Sequence, residues 1–206
     1  MKSSKISVGR TQCNYIYDNI DLEDCPIVLL HGYSFSSDVW NEVGIFKIFD
    51  EKKIPYIALD MPYGIKNSCE PKDTDMHKNE AFLEEALKKI KKDLKPPLLV
   101  GASMGGYLAL LYSASNPVSG LLLIGPVGTD DTYVLSSLNK YNFPVCVIIG
   151  EKDTIIDFDS VKKFVESLPN GKLKVYESSG HPAYLYKKDR FIEDVLSAYN
   201  AIRKKY

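Results

Sequence analysis

Apolar and polar positions follow two rhythms along this chain. Continuous apolar runs occur at Pro26-Ile27-Val28-Leu29-Leu30, 54–59, Leu98-Leu99-Val100, 120–124 and 144–149. Uninterrupted runs of this length suit strands covered on both faces, as in a parallel sheet with helices on each side. Between the runs, apolar residues recur at helical spacing: Val39, Trp40, Val43, Phe46 and Phe49, then Phe82, Leu83, Ala86, Leu87, Ile90 and Leu94. The pattern returns over 106–115, in Val161, Phe164, Val165 and Leu168, and in Phe191, Val195, Leu196, Tyr199 and Ile202. Ser36-Ser37-Asp38, Asp157 or Asp159, and Asp189 supply N-cap side chains, while Pro169-Asn170-Gly171 stops a helix. Segments 5–8 and 13–17 with Gly9-Arg10 between them predict an N-terminal hairpin, and 173–176 a last strand. The polar stretch 65–78 carries no clear period, and a short helix fits around 133–138.

Strand and helix thus alternate from about Pro26 onward, the signature of an α/β domain with a mainly parallel sheet. Right-handed crossovers put every parallel strand's C-terminal end on one edge, where such sheets bind ligands. That edge should collect His31-Gly32-Tyr33, Asp60-Met61-Pro62, Ser103, Gly125-Pro126, Glu151-Lys152-Asp153 and Ser179-Gly180-His181. At 206 residues and 45% hydrophobic content, with no linker-like stretch, a single domain over 1–206 is expected.

Charge changes the picture only by exclusion. With 26 basic and 27 acidic residues, the net of −1 provides no field for nucleic acid or an anionic membrane. The crowded lysines Lys88, Lys89, Lys91, Lys92 and Lys95 read as a solvated helix end complementing the dipole. No signal-type apolar segment follows the N-terminus and no run nears the roughly 18 residues of a membrane span, so a cytoplasmic protein is expected. Cys13, Cys25, Cys69 and Cys146 lack C-x-x-C spacing, and Cys146 lies inside an apolar run, so packing is expected of it rather than metal binding. A disulfide such as Cys13 to Cys25 would require an unusual compartment. No cofactor or metal is implied.

The candidate chemistry centres on Gly101-Ala102-Ser103-Met104-Gly105, a G-x-S-x-G between an apolar run and a helical segment. A sharp strand-to-helix turn there lifts the serine hydroxyl above the sheet, and the glycines relieve its crowding. Serine needs a base to become a nucleophile at neutral pH, and histidine suits that task. His77 lies in a polar loop, and the His31 ring is placed to hold its own loop by hydrogen bonds. His181, after the last strand, is the candidate base. Asp153, three residues past Gly150, is the carboxylate to orient it; Asp157 reads better as a helix cap and Glu151 is still on the strand exit. An acyl-transfer oxyanion would find backbone N–H donors at Met104 and Tyr33. Phe35, Tyr63 and Tyr133, with the Tyr33 ring and the Met104 thioether, are candidates for lining a substrate pocket or else pack the loops.

These motifs, with Leu30-His31-Gly32, Asp60-Met61-Pro62, Gly150-Glu151-Lys152-Asp153 and Gly180-His181, resemble the α/β-hydrolase superfamily, whose triad follows the same chain order, Ser103, Asp153, His181. The stretches 29–37, Leu168-Pro169-Asn170 and Gly180-His181-Pro182-Ala183-Tyr184-Leu185 resemble its small capless subfamily, α/β-hydrolase domain-containing protein fourteen. The resemblance implies an eight-stranded, mostly parallel sheet with its second strand antiparallel, that triad, and hydrolysis of small acyl esters. It further associates the subfamily with protein partners and with removal of acetyl groups from lysine. Two departures stand out. Where many hydrolases have D-x-P-G-x-G-x-S, this chain reads Asp60-Met61-Pro62-Tyr63-Gly64-Ile65-Lys66-Asn67-Ser68. Too few residues lie between Ile124 and Pro144 for a helical cap, so an open pocket for small or extended substrates is expected.

The leading expectation is a carboxylic ester hydrolase in which Ser103 attacks, His181 moves the proton and Asp153 orients His181. Thioester or lysine-amide cleavage and acyl transfer would use the same groups. A weakly catalytic ligand-binding or protein-interaction module is the alternative of a different class.

Overall fold

In the computed structural model, residues 1–138 and 142–203 are described. The strands are β1 (Lys2–Val8), β2 (Thr11–Asp18), β3 (Ile27–Leu30), β4 (Tyr56–Leu59), β5 (Leu98–Ala102), β6 (Gly120–Ile124), β7 (Val145–Gly150) and β8 (Gly171–Tyr176). They form one sheet in the order β1-β2-β4-β3-β5-β6-β7-β8. β2 runs antiparallel to both its neighbours, and the pairs from β4 to β8 are parallel, as the resemblance implies.

Helices cover both faces, which is why the central strands are buried on each side. α1 (Val39–Val43), α2 (Ile45–Lys52), α7 (Ala183–Tyr186) and α8 (Lys188–Arg203) pack with Ile27, Leu29, Val100 and Ile124. α3 (Met76–Ile90), α4 (Met104–Ser115), α5 (Thr132–Leu138) and α6 (Phe158–Glu166) contribute to the core on Val28, Leu30, Leu99 and Leu123. Alternate residues of one strand therefore feed opposite cores, the period-two rule of a pleated strand. α4 is buried along Leu108, Ala109, Leu110, Leu111 and Tyr112, since α3 and α5 pack beside it over the sheet. Among the described residues, no separate cap interrupts the chain between β6 and β7.

Several boundaries differ from expectation. The helix of Val39 to Phe49 is two helices, split where Gly44 adopts φ 86° and caps α1 with its N–H. Asp38 is already helical in backbone and makes no side-chain cap. α3 begins within the polar stretch: Asp75 accepts from the N–H groups of His77 and Lys78, and buried Asn79 takes an apolar residue's place in the first turns. Its Oδ1 accepts from Tyr63 N at 3.1 Å and its Nδ2 donates to the carbonyls of Asp73 and Asp75, so the polar residue is fully occupied. Asp157 caps α6 by accepting from Ser160 N, and Asp189 lies inside the first turn of α8 rather than before it.

The cysteine expectation needs the larger correction. Cys13 on β2 is bonded to Cys69, not to Cys25, across 56 positions of sequence. Cys25 is a buried free thiol that donates to Pro96 O at 3.0 Å, and burial raises its pKa. The backbones of Gln12 and Glu70 exchange two hydrogen bonds beside the disulfide, fixing the loop after β4 to the hairpin. No helix among the described residues is long and apolar enough to cross a membrane. Opening the disulfide frees a long denatured-state loop, worth about 4 kcal/mol on chain entropy alone. Urea unfolding with and without a thiol reductant should accordingly show a lower midpoint in reductant, and a Cys69→Ser variant should lose that dependence.

Candidate active site

Ser103 sits between β5 and α4 with φ 52° and ψ −112°, a conformation L residues rarely adopt. The glycines at either side show why it is tolerated. A Cβ on Gly101 would lie 2.3 Å from Gly105 O, and one on Gly105 would lie 2.2 Å from Leu30 O. Backbone therefore touches backbone where the chain leaves β5, folds into α4 and passes the end of β3. The Ser103 N–H donates to Ile124 O at 2.8 Å, and its carbonyl accepts from the N–H of Gly106 and Tyr107.

Asp153 and His181 reach the same edge from the loops after β7 and β8. His181 Nδ1 donates to Asp153 Oδ2 at 2.9 Å, leaving Nε2 unprotonated on the neutral ring. Asp153 Oδ1 accepts from the N–H groups of Ile155 and Ile156 at 2.9 and 3.0 Å. The carboxylate, 1% exposed against 17% for the His181 side chain, is held by both oxygens. The two loops are stitched together: Lys152 N donates to Ser179 O, and Ser178 N to Glu151 Oε2. Gly150 lets them approach, because a Cβ there would sit 2.3 Å from Gly180 O. Glu151 thus holds the histidine loop and does not contact His181.

Gly125 joins this pair to the serine. It follows β6 at φ 48°, and its Cβ position lies 3.1 Å from His181 Nδ1 and 3.2 Å from Asp153 Oδ2. The residue just before it, Ile124, receives the Ser103 N–H. Serine, histidine and aspartate therefore gather around the ends of adjacent strands, although no hydrogen bond joins Ser103 to His181 in this conformation. The sequence places Gly125-Pro126 on this edge, and the structure sets Gly125 directly against the histidine and the aspartate.

The expected oxyanion donors differ in origin. Met104, first residue of α4, has no intrahelical acceptor for its N–H. Tyr33 follows the end of β3; its carbonyl accepts from Ile65 N, and no partner is recorded for its own N–H among the described residues. Gly32 lies beside the serine, its Cβ position 3.7 Å from Ser103 Cβ and 3.6 Å from the Phe35 ring, so Ser103 and Phe35 both flank Gly32.

Of the other two aromatic candidates, Tyr63 takes the loop-packing alternative and Tyr133 stands far along α4 from the serine. Tyr63 is 1% exposed and its hydroxyl donates to His31 O at 2.5 Å, so it packs the loop and lines nothing; burial pushes its pKa up. Tyr133 is exposed on α5, with its hydroxyl 3.4 Å from Ser115 Oγ at the far end of α4. Twelve residues of helix, about 18 Å, separate Ser115 from Ser103. Clefts of about 590 and 530 Å³ lie elsewhere, and neither includes Ser103, Asp153 or His181.

The remaining histidines have other environments. His77 is 74% exposed on α3, 3.6 Å from Glu80. His31 is fully buried. Its Nε2 accepts from Met61 N at 3.0 Å, and Met61 N can only donate, so the ring proton is on Nδ1 and goes to Gly32 O at 2.8 Å. Burial holds the His31 pKa below its ordinary value, keeping the ring neutral. Asp60 binds the neighbouring loops, accepting from Ser37 N at 2.8 Å and from Ser68 Oγ at 3.2 Å. Among the described residues, no group of three His, Cys, Asp or Glu side chains is placed to hold a metal ion.

A model described as the alpha/beta hydrolase family matches residues 27–145. Human ABHD14A is 29% identical over 168 residues, covering 80% of this chain but 60% of that protein, so the chain spans about three fifths of this relative. A human protein named putative protein-lysine deacylase ABHD14B is 25% identical over 182 residues, covering 82% of this chain and 80% of its own. Two solved structures share the fold. A predicted CIB-like hydrolase from Thermoplasma acidophilum matches with TM-score 0.83 at 21% identity over 98% of both chains. Esterase RhEst1 from Rhodococcus sp. ECU1013 matches with TM-score 0.77 at 18% identity over 98% of this chain and 100% of its own.

Two outcomes are expected from this packing. Gly105→Ala places a methyl group against backbone that cannot yield cheaply, so its unfolding free energy from urea titration should fall by about 3 kcal/mol or more. For His31, a lowered folded pKa means the unfolded chain binds more protons once pH drops below the unfolded value near 6.5. Its contribution is full above that value and is lost as pH falls toward the folded pKa. His31→Gln should flatten that part of a stability-against-pH curve measured by urea titration.

Proposed function

The chain belongs to the alpha/beta hydrolase family, and on that premise we propose that it is a serine hydrolase cleaving small carboxylic esters. The observation that carries the reading is the Asp153–His181 hydrogen bond beside a serine on a strained strand-to-helix turn. In the proposed reaction His181 Nε2 takes the Ser103 hydroxyl proton as Oγ bonds to the acyl carbon. The carbonyl π pair moves to oxygen, where the N–H groups of Tyr33 and Met104 receive the negative charge. Asp153 keeps the ring in the Nδ1–H tautomer and stabilises the imidazolium. Collapse expels the alcohol with the proton from Nε2. Water, deprotonated by the same nitrogen, then attacks the acyl-enzyme and releases the acid. Phe35, which flanks Gly32 as Ser103 does, is the pocket residue we retain, and an uncapped site favours small or extended acyl groups.

A second reading rests on the relative named putative protein-lysine deacylase, which aligns over four fifths of both chains. An uncapped site would admit an acylated lysine on a protein surface, with the lysine amine as leaving group in place of the alcohol. A panel of p-nitrophenyl acetate, p-nitrophenyl butyrate and acyl-lysine peptides separates the two. We expect turnover of the esters and labelling of Ser103 by a fluorophosphonate, both abolished in Ser103→Ala; wild-type rates in that variant would overturn the serine mechanism. Asp153→Asn should keep the fold but lower kcat by on the order of 10³- to 10⁴-fold, because the histidine tautomer is no longer fixed.

A further inference from the structure

The buried His31 ring is connected on both sides. Asn67 Nδ2 lies 3.1 Å from His31 Nε2 and donates also to Met61 O at 2.7 Å. Asn67 Oδ1 accepts from Lys72 Nζ and from Cys69 N. Across the ring, Nδ1–H donates at 2.8 Å to the carbonyl of Gly32, which also accepts from Phe35 N at 3.0 Å. That carbonyl and the Tyr33 N–H belong to one planar peptide unit, so fixing the oxygen fixes the direction of the N–H. A donor at the oxygen also polarises the amide and makes its N–H a stronger donor. Asn67 is itself anchored: two residues on, Cys69 is bonded to Cys13 of β2, and Glu70 pairs with Gln12.

We propose that Asn67 is a positioning residue for the oxyanion site, acting through the His31 tautomer to aim and polarise the Gly32–Tyr33 peptide. Asn67 touches no substrate. Its two roles are a second donor to Nε2 beside Met61 N, which reinforces the ring proton on Nδ1, and a brace that Lys72 and the disulfide hold in place. The proposal rests on the serine-hydrolase reading for its catalytic consequence, but the tautomer link stands independently of it. The sequence hid this residue, because Asn67 lies in the loop where the chain departs from the usual hydrolase pattern.

The test compares wild type, Asn67→Asp and Asn67→Ala, with Ser103→Ala as control. An aspartate at 67 has no donor; its carboxylate attracts the proton to Nε2 and leaves the Nδ1 lone pair against the Gly32 oxygen. Nitrogen-15 NMR of His31 should report the tautomer change, and the Tyr33 amide proton should move upfield. With p-nitrophenyl acetate, kcat should fall by about 10- to 100-fold at unchanged KM, less than or equal to the loss of a whole oxyanion donor. Inhibition by a methyl trifluoromethyl ketone, whose serine adduct places an oxyanion in the same site, should weaken by the same factor, measured below the thermal midpoint of each variant. Asn67→Ala should fall between the two, since Met61 N still donates to Nε2.

An unmoved Tyr33 amide in Asn67→Asp overturns the proposal whatever the activity. So does a fall in kcat with ketone affinity unchanged, since the loss would then lie outside the oxyanion site. Wild-type turnover that survives Ser103→Ala, with the NMR changes present, overturns the serine mechanism and leaves the positioning link supported.

Discussion

The geometry at the end of β5 depends on three backbone segments touching where no side chain fits. Gly101, Gly105 and the carbonyl of Leu30 meet at distances that exclude a Cβ, and Ser103 is held between them in a left-handed conformation. Such a conformation costs about 1–3 kcal/mol and survives only where its surroundings over-determine it. Here the Ser103 N–H is tied to β6, its carbonyl to the first turn of α4, and α4 to a core it enters along most of its length. The parallel order β3-β5-β6 makes this arrangement, so the strain at one residue is balanced by the sheet as a whole.

Two histidines show how similar local sequence leads to different electrostatics. Both His31 and His181 adjoin a glycine just beyond a strand. His31 is enclosed by the loop after β4, where Met61, Asn67 and Tyr63 surround it and burial keeps it neutral. His181, beyond the last strand, has one nitrogen on a carboxylate. The first is a fixed hydrogen-bonding strut. The second retains the partial exposure that proton exchange requires.

Much of this was legible in the sequence. Apolar runs gave the parallel strands, and Ser103, Asp153 and His181 fell at strand exits in an order that only one edge could unite. What was not legible had no local signal. Cys13 and Cys69 are too far apart in sequence for spacing to pair them, and the start of α3 was hidden because buried Asn79 is polar yet fully hydrogen-bonded. Tyr63 and Tyr133 were plausible pocket residues by type alone. Their fates follow from the loop after β4, which sets the Tyr63 hydroxyl on His31 O, and from the side of α5 that carries Tyr133, information held in tertiary contacts and absent from composition.

The sheet's two outer strands bear on a different property. β1 carries Lys2 and Lys5, and β8 carries Lys172 and Lys174. An open strand edge offers unpaired backbone groups to any other extended chain, and lysines there force an incoming strand to desolvate charge. Lys174 is held at Asp194 of α8, and Lys172 is exposed. The strand from which the His181 loop departs is thereby protected against edge-to-edge association, the route by which sheet proteins of this kind aggregate.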